Sequence, residues 1–144
     1  RIQAGDILVN RVNAIDHLGK SALVPLLVEP AVFESNMMRI VVDAAQALPE
    51  FVVAQLQAPV VRQQVMTAAK NAVNQSSINQ QDVCAFRLRL PPLEQQARFA
   101  AALAAIRASE AHQEAAEAEA DRLFSSLLQA AFADAPKAAE PAHG

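Results

Sequence analysis

From Leu93 to about Ala133 the chain contains neither glycine nor proline, and alanine is its commonest residue. Such a run predicts a single helix of roughly forty residues, about 60 Å long at about 1.5 Å per residue. A small core has no use for so long a helix, so it must serve something beyond its own domain. Pro91 and Pro92 pre-set the backbone for its start, and Glu94 places an anion in its first turn, where the helix dipole favours one. Phe99, Leu103 and Ile106 recur at helical spacing near one end, and Leu123, Phe124, Leu127, Leu128 and Phe132 do so near the other. Between them the seam narrows to Ala115, Ala116 and Ala120 amid Glu110, Glu114, Glu117 and Glu119, a pattern suited to close packing on a second helix, as in a coiled coil. A solvated helix that caps its own domain is the competing reading.

The residues before Pro91 read differently. IQAGDILVNRVN, GKSALVPLLV and AVFESNMMRIVV are rich in Val, Ile and Leu and are punctuated by Asp, Gly and Pro, which predicts strands of a small, mostly antiparallel sheet. From Pro49 the period changes: Phe51, Val52 and Leu56, then Val60, Val61, Val65, Met66 and Ala69, fall at helical intervals interrupted by Pro59, giving two short helices. VCAFRLRL alternates as a last short strand would. The class is therefore α+β, with a small sheet and short helices over residues 1–90, a long helix over 91–133 and a disordered tail over 134–144, DAPKAAEPAHG. With 144 residues and 53% hydrophobic content the chain fits one domain with an appendage. It starts at Arg1, as a piece of a longer chain would, and lacks an eighteen-residue apolar run or a basic leader, which predicts a soluble, cytoplasmic protein that engages no membrane.

Several chemistries have no seat here. The glycines are Gly5, Gly19 and Gly144, so neither a phosphate-cradling loop nor a dinucleotide fingerprint can be written. Cys84 is the one cysteine and His17, His112 and His143 stand apart, which gives no metal-ligand spacing. Cys84 is expected to be a small buried hydrophobe. Net charge is -3, but residues 1–90 carry eight Lys or Arg against seven acids, while residues 91–144 carry four against eight. The acidity belongs to the helical segment, and the first part is the less hostile to DNA.

One stretch, KNAVNQSSINQQD (residues 70–82), turns abruptly polar without a glycine or proline. Ser77 with Gln80 three residues on can form a capping box for a short helix. Asn and Gln amides can also pair bidentately with adenine in the major groove, which makes the same stretch a candidate base-reading loop. Arg62 and Lys70 lie on the polar side of the second short helix, where they touch phosphates or keep it soluble.

In this order, GDILVNRVN, GKSALV, FESNMMRI, SSINQQDV and LPPLEQQARFA resemble the target recognition half of a type I restriction-modification specificity subunit, from about Gly5 to Phe132. The resemblance implies one recognition domain, beginning partway through, followed by one long helix that packs in an antiparallel pair and sets the spacing between two DNA half-sites. It implies a non-catalytic subunit whose partners are double-stranded DNA, modification (methyltransferase) subunits, a restriction subunit, and a second copy or second recognition domain. No cofactor is expected on this chain; S-adenosylmethionine and ATP belong to partner subunits. In similar proteins the loop leading into Ile78-Asn79 lies near the DNA, so Gln75, Ser76 and Ser77, with Arg11, Asn13 and Lys20, are the candidate DNA contacts, and Ile78 and Val83 the core anchors. Phe99, Leu103, Ile106, Leu123, Phe124 and Leu127 are the candidate helix-pair residues. Relatives often carry glycine in the loop, where Ala72 and Val73 stand here. An assembly adaptor that docks partners through the helix without reading DNA is the alternative.

Overall fold

The computed structural model describes residues 1–72 and 75–133. The proposed disordered tail, 134–144, and Val73 lie outside the described residues. Two compact units divide the chain, Arg1–Ala101 and Ala102–Gly144, so the first turns of the long helix belong with the globular part.

Unit one is built on two three-stranded antiparallel sheets. In the first, β1 (Ile7–Asn10) lies between β3 (Ser21–Leu23) and β4 (Met37–Ile40), with Ile7 opposite both Leu23 and Ile40. Strand alternation turns Ile7 and Val9 inward, and both are buried. In the second, β6 (Gln75–Ser77) lies between β2 (Val12–Asn13) and β5 (Lys70–Ala72). The predicted small antiparallel sheet is thus two sheets, entered in turn by β1 and β2 on either side of Arg11.

Helices α1 (Pro49–Gln57) and α2 (Pro59–Ala68) form as their spacing predicts, each with proline in its first turn. Ala58 ends one and caps the next. As the residue before Pro59 it is pushed to an extended conformation, φ -70° and ψ 149°, which breaks the helix there. Phe51, Val52, Val53 and Leu56 of α1 and Val61 and Val65 of α2 are buried, whereas Val60 and Met66 are exposed. Val52, Val53, Leu56 and Val61 join Ile7, Val9 and Ala47 in one cluster; Val65 joins Leu18 and Ile78 in a second. Helix α2 therefore contributes to both clusters, through Val61 and Val65. Ahead of α1, the Asp43 carboxylate accepts from Gln46 Nε2 at 2.8 Å and from Ala45 N at 3.0 Å. These bonds, that from Gln46 first, hold its pKa below the usual carboxylate value.

The turn before β3 depends on Gly19. Its φ is +73°, and a Cβ there would lie 2.7 and 2.8 Å from the two Val65 γ-carbons. Gly19→Ala combines left-handed strain with overpacking. It is expected to destabilise unit one by about 2–4 kcal/mol, read as a lower urea midpoint.

Four expectations are corrected. VCAFRLRL is not a strand: Val83 and Cys84 end the short helix α3 (Gln80–Cys84), and residues 86–92 pair with no strand among the described residues. The cap of α3 is Asn79, not Ser77. Asn79 Oδ1 accepts from Asp82 N at 2.9 Å, and Asp82 Oδ2 accepts from Asn79 N at 2.7 Å, a reciprocal box two residues beyond the Ser77–Gln80 pair. Cys84, in the last turn of that five-residue helix, is exposed rather than buried. Arg62 does more than keep α2 soluble: its guanidinium donates to Ile15 O at 2.7 Å and to Leu18 O, and fastens the loop before Gly19 to α2.

Helix α4 runs from Leu93 to Ala133, 41 residues, as predicted. Pro92 O accepts its first backbone bonds, from Gln95 N and Gln96 N. Phe99 meets Phe51 edge to face, ring centroids 5.4 Å apart at 84°, so this candidate pairing residue also packs on its own domain.

Candidate nucleic-acid interface

The polar stretch 70–82 is for the most part a hairpin and a helix cap, not a loop. Lys70 pairs with Ser77, Asn71 with Ser76 and Ala72 with Gln75. On its other edge β6 pairs with β2, Val12 opposite Ser77 and Asn13 opposite Ser76. Ile78 N then donates to Arg11 O at 3.0 Å and continues that ladder. Residues sixty positions apart in sequence are therefore cross-strand neighbours.

Alternation along β6 sorts the candidates. Gln75 is exposed and Ser77 half-buried, and Ser77 shares its face with the exposed Lys70 across the ladder. Ser76 falls on the opposite face, and like Ile78 it is buried. Asn13 is half-buried and its Oδ1 accepts from Ala14 N at 2.8 Å. Lys20 is exposed, its Nζ 2.8 Å from His17 Nδ1, and its carbonyl accepts from Asn10 N, which sets it beside the β1–β2 junction. Arg11 is half-buried, enters no ion pair among the described residues, and its Nε is buried without a hydrogen-bond partner. A buried donor left unmet is uncommon in a finished core.

The structure thus brings Asn13, Gln75, Ser76 and Ser77 into one sheet, with Arg11 and Lys20 at its margin. Gln75 offers an amide with two donors and an acceptor, and Lys20 and Lys70 offer ammonium groups. Lys70 lies on β5 rather than on α2, and only its place in the ladder makes it part of this surface. Ile78 and Val83 anchor the hairpin as expected, with Ile78 in the second cluster and Val83 packed against it. No group of acidic, histidine or cysteine side chains suited to a metal ion occurs among the described residues. The helix candidates Leu103, Ile106, Leu123, Phe124 and Leu127 all lie in the second unit, half-buried at Leu103 and exposed at the others.

No protein-family model matches the chain. It is 32% identical over 100 residues to the MjaX type I restriction enzyme specificity subunit of Methanocaldococcus jannaschii, a match covering 69% of this chain and 24% of that protein. The chain thus spans about a quarter of the length of this curated relative. The HsdS subunit from Thermoanaerobacter tengcongensis has the same fold over 97% of this chain and 36% of its own, with TM-score 0.66 and 24% identity. A structure concerned with complex assembly and conformational transition of the type I R-M system matches over the same shares, with TM-score 0.68 and 24% identity.

A small α+β unit running directly into one long helix is the architecture the chain shares with these structures. The sequence match across 100 residues makes the chain similar to a part of a type I restriction enzyme specificity subunit, and the two solved structures share its fold.

Proposed function

We propose that this chain is a DNA-sequence specificity module that reads one half-site of a bipartite duplex target and docks methyltransferase subunits. The observation that carries the reading is the second sheet: candidate DNA contacts predicted from two distant segments, 11–13 and 75–77, are neighbours on one ladder. Gln75 and Ser77 supply the base-reading chemistry on the open face of the hairpin, and Lys20 and Lys70 meet phosphates at its margin. Helix α4 pairs with the helix of a second copy or of a second recognition domain and sets the distance between half-sites. The chain itself catalyses nothing. S-adenosylmethionine is held by the modification subunits and ATP by the restriction subunit, and the complex acts in the cytoplasm. No helix among the described residues is long and apolar enough to cross a membrane.

The test is to co-express the chain with its cognate modification subunits in a methylation-free host and map the methylated adenines. A bipartite motif supports the reading. Co-purification without methylation would instead identify an assembly adaptor. Within the motif, Gln75→Ala is expected to cost about 1–3 kcal/mol at one base position, seen as relaxed preference there. Equal weakening on every sequence would move Gln75 to the phosphate backbone.

A further inference from the structure

Beyond the hairpin, one segment holds two arginines in an arrangement that folding alone does not require. Residues 85–89 run along α2 toward α1 and pair with no strand among the described residues. Two glutamine side chains take a strand's place. Gln64 Oε1 accepts from Arg87 N at 2.8 Å and Gln64 Nε2 donates to Arg87 O at 3.2 Å. Gln55 repeats the pair two residues on: its Oε1 accepts from Arg89 N at 3.0 Å and its Nε2 donates to Arg89 O. Each amide satisfies both backbone groups of one arginine, as a ladder partner would.

Alternation does the rest. Phe86 and Leu88 pack against the core clusters, so Arg87 and Arg89 are left on the other side, and both are exposed. Neither forms an ion pair among the described residues. Both line an open groove of about 1010 Å³ against α2, together with the exposed Gln63. The one carboxylate on that groove among the described residues, Asp82, accepts from the backbone N–H of Asn79.

We infer that Arg87 and Arg89 form a second, sequence-independent contact with double-stranded DNA, gripping neighbouring phosphates of one strand. Arg87 and Arg89 stand two positions apart and both are exposed, while Phe86 and Leu88 before and between them pack inward, so the two guanidinium groups are available to one phosphate strand. The glutamine clamps fix the backbone before DNA arrives, so little ordering remains to be done on binding. Arginine suits the role because its planar fork meets a phosphate through two bonds. The inference rests on the DNA-reading function proposed above, but it concerns residues that would carry affinity rather than sequence.

The experiment compares the wild-type methyltransferase complex with one carrying Arg87→Gln and Arg89→Gln. Binding to a duplex bearing the mapped motif and to a scrambled duplex is measured between about 50 and 200 mM salt. Loss of two phosphate contacts should flatten the slope of log affinity against log salt by about 1.8, so that the wild type loses about twelvefold more affinity than the variant over that range. The methylated motif should stay the same, and Arg87→Lys with Arg89→Lys should recover most of the slope. An unchanged slope with intact assembly would make the arginines solvated surface groups, and an unchanged slope with lost subunits would make them a dock for an acidic protein; either overturns the inference. A wild-type complex that shows no sequence preference on DNA would instead defeat the function on which it rests.

Discussion

Gln96→Leu is expected to destabilise unit one by about 3–5 kcal/mol, although Gln96 carries no charge and leucine fills a similar volume. Gln96 is wholly buried at the start of α4. Its Oε1 accepts from Leu48 N at 2.9 Å, and its Nε2 donates to Gln46 O at 3.1 Å and to Pro91 O at 2.7 Å. One side chain thus joins three stretches of backbone: the turn ahead of α1, the N-cap residue of α1 and the entry to α4. Leucine would leave three part-buried backbone groups without this partner, at up to about 1–3 kcal/mol each before relaxation and rehydration. Removing both sides of a hydrogen bond can be nearly neutral, but here the orphans are main-chain atoms that no compensating mutation deletes. Gln95→Leu is the control, since Gln95 is exposed one position earlier. It should change the urea midpoint little, whereas Gln96→Leu should lower it strongly and speed hydrogen exchange at the Leu48 amide. Equal effects from the two variants would remove Gln96 from its place as the fastener of the helix start.

Gln96 also shows why parts of the molecule were legible in the sequence and parts were not. The long helix could be read to its ends because its determinants are local: a run without breakers, two prolines in front and an acid in the first turn. The α1–α2 break could be read because Pro59 acts on its immediate neighbour. The hairpin could not. Asn, Gln and Ser are poor strand formers, and β6, on which β5 pairs, is held by β2, more than sixty residues away. The alternation in AFRLRL is real and sorts Phe86 and Leu88 inward, yet its hydrogen-bond partners are Gln55 and Gln64, which no strand pattern announces. The helix cap was misplaced by two residues because Asn79–Asp82 and Ser77–Gln80 share the same spacing, and only the pairing of Ser77 in β6 decides between them. Of the candidate site, the amide of Gln75 is visible in the sequence, but its exposed place on β6 is not. The burial of Ser76 and the place of Lys70 beside Ser77 follow from the ladder alone.

The far end of α4 supports the other large prediction: Leu123→Asp with Leu127→Asp should abolish helix pairing while unit one stays folded. Leu123, Phe124, Leu127 and Phe132 are 56%, 62%, 69% and 74% exposed and recur at helical spacing. Isolated exposed leucines are ordinary on a protein surface, but a continuous apolar stripe along a helix is what a partner buries. A fully buried leucine contributes about 1.5–3 kcal/mol, so losing two weakens pairing by at least about 3 kcal/mol, roughly 150-fold. Each introduced carboxylate adds a desolvation cost against the same apolar partner. Neither position falls in unit one, so its urea midpoint should not move. Native mass measurement of the co-expressed complex should then show the paired species lost, and the bipartite methylation motif should disappear with it. Retained pairing would assign the stripe to something other than the helix pair, and the proposed spacing between half-sites would need another source, because no other element among the described residues approaches the length of α4.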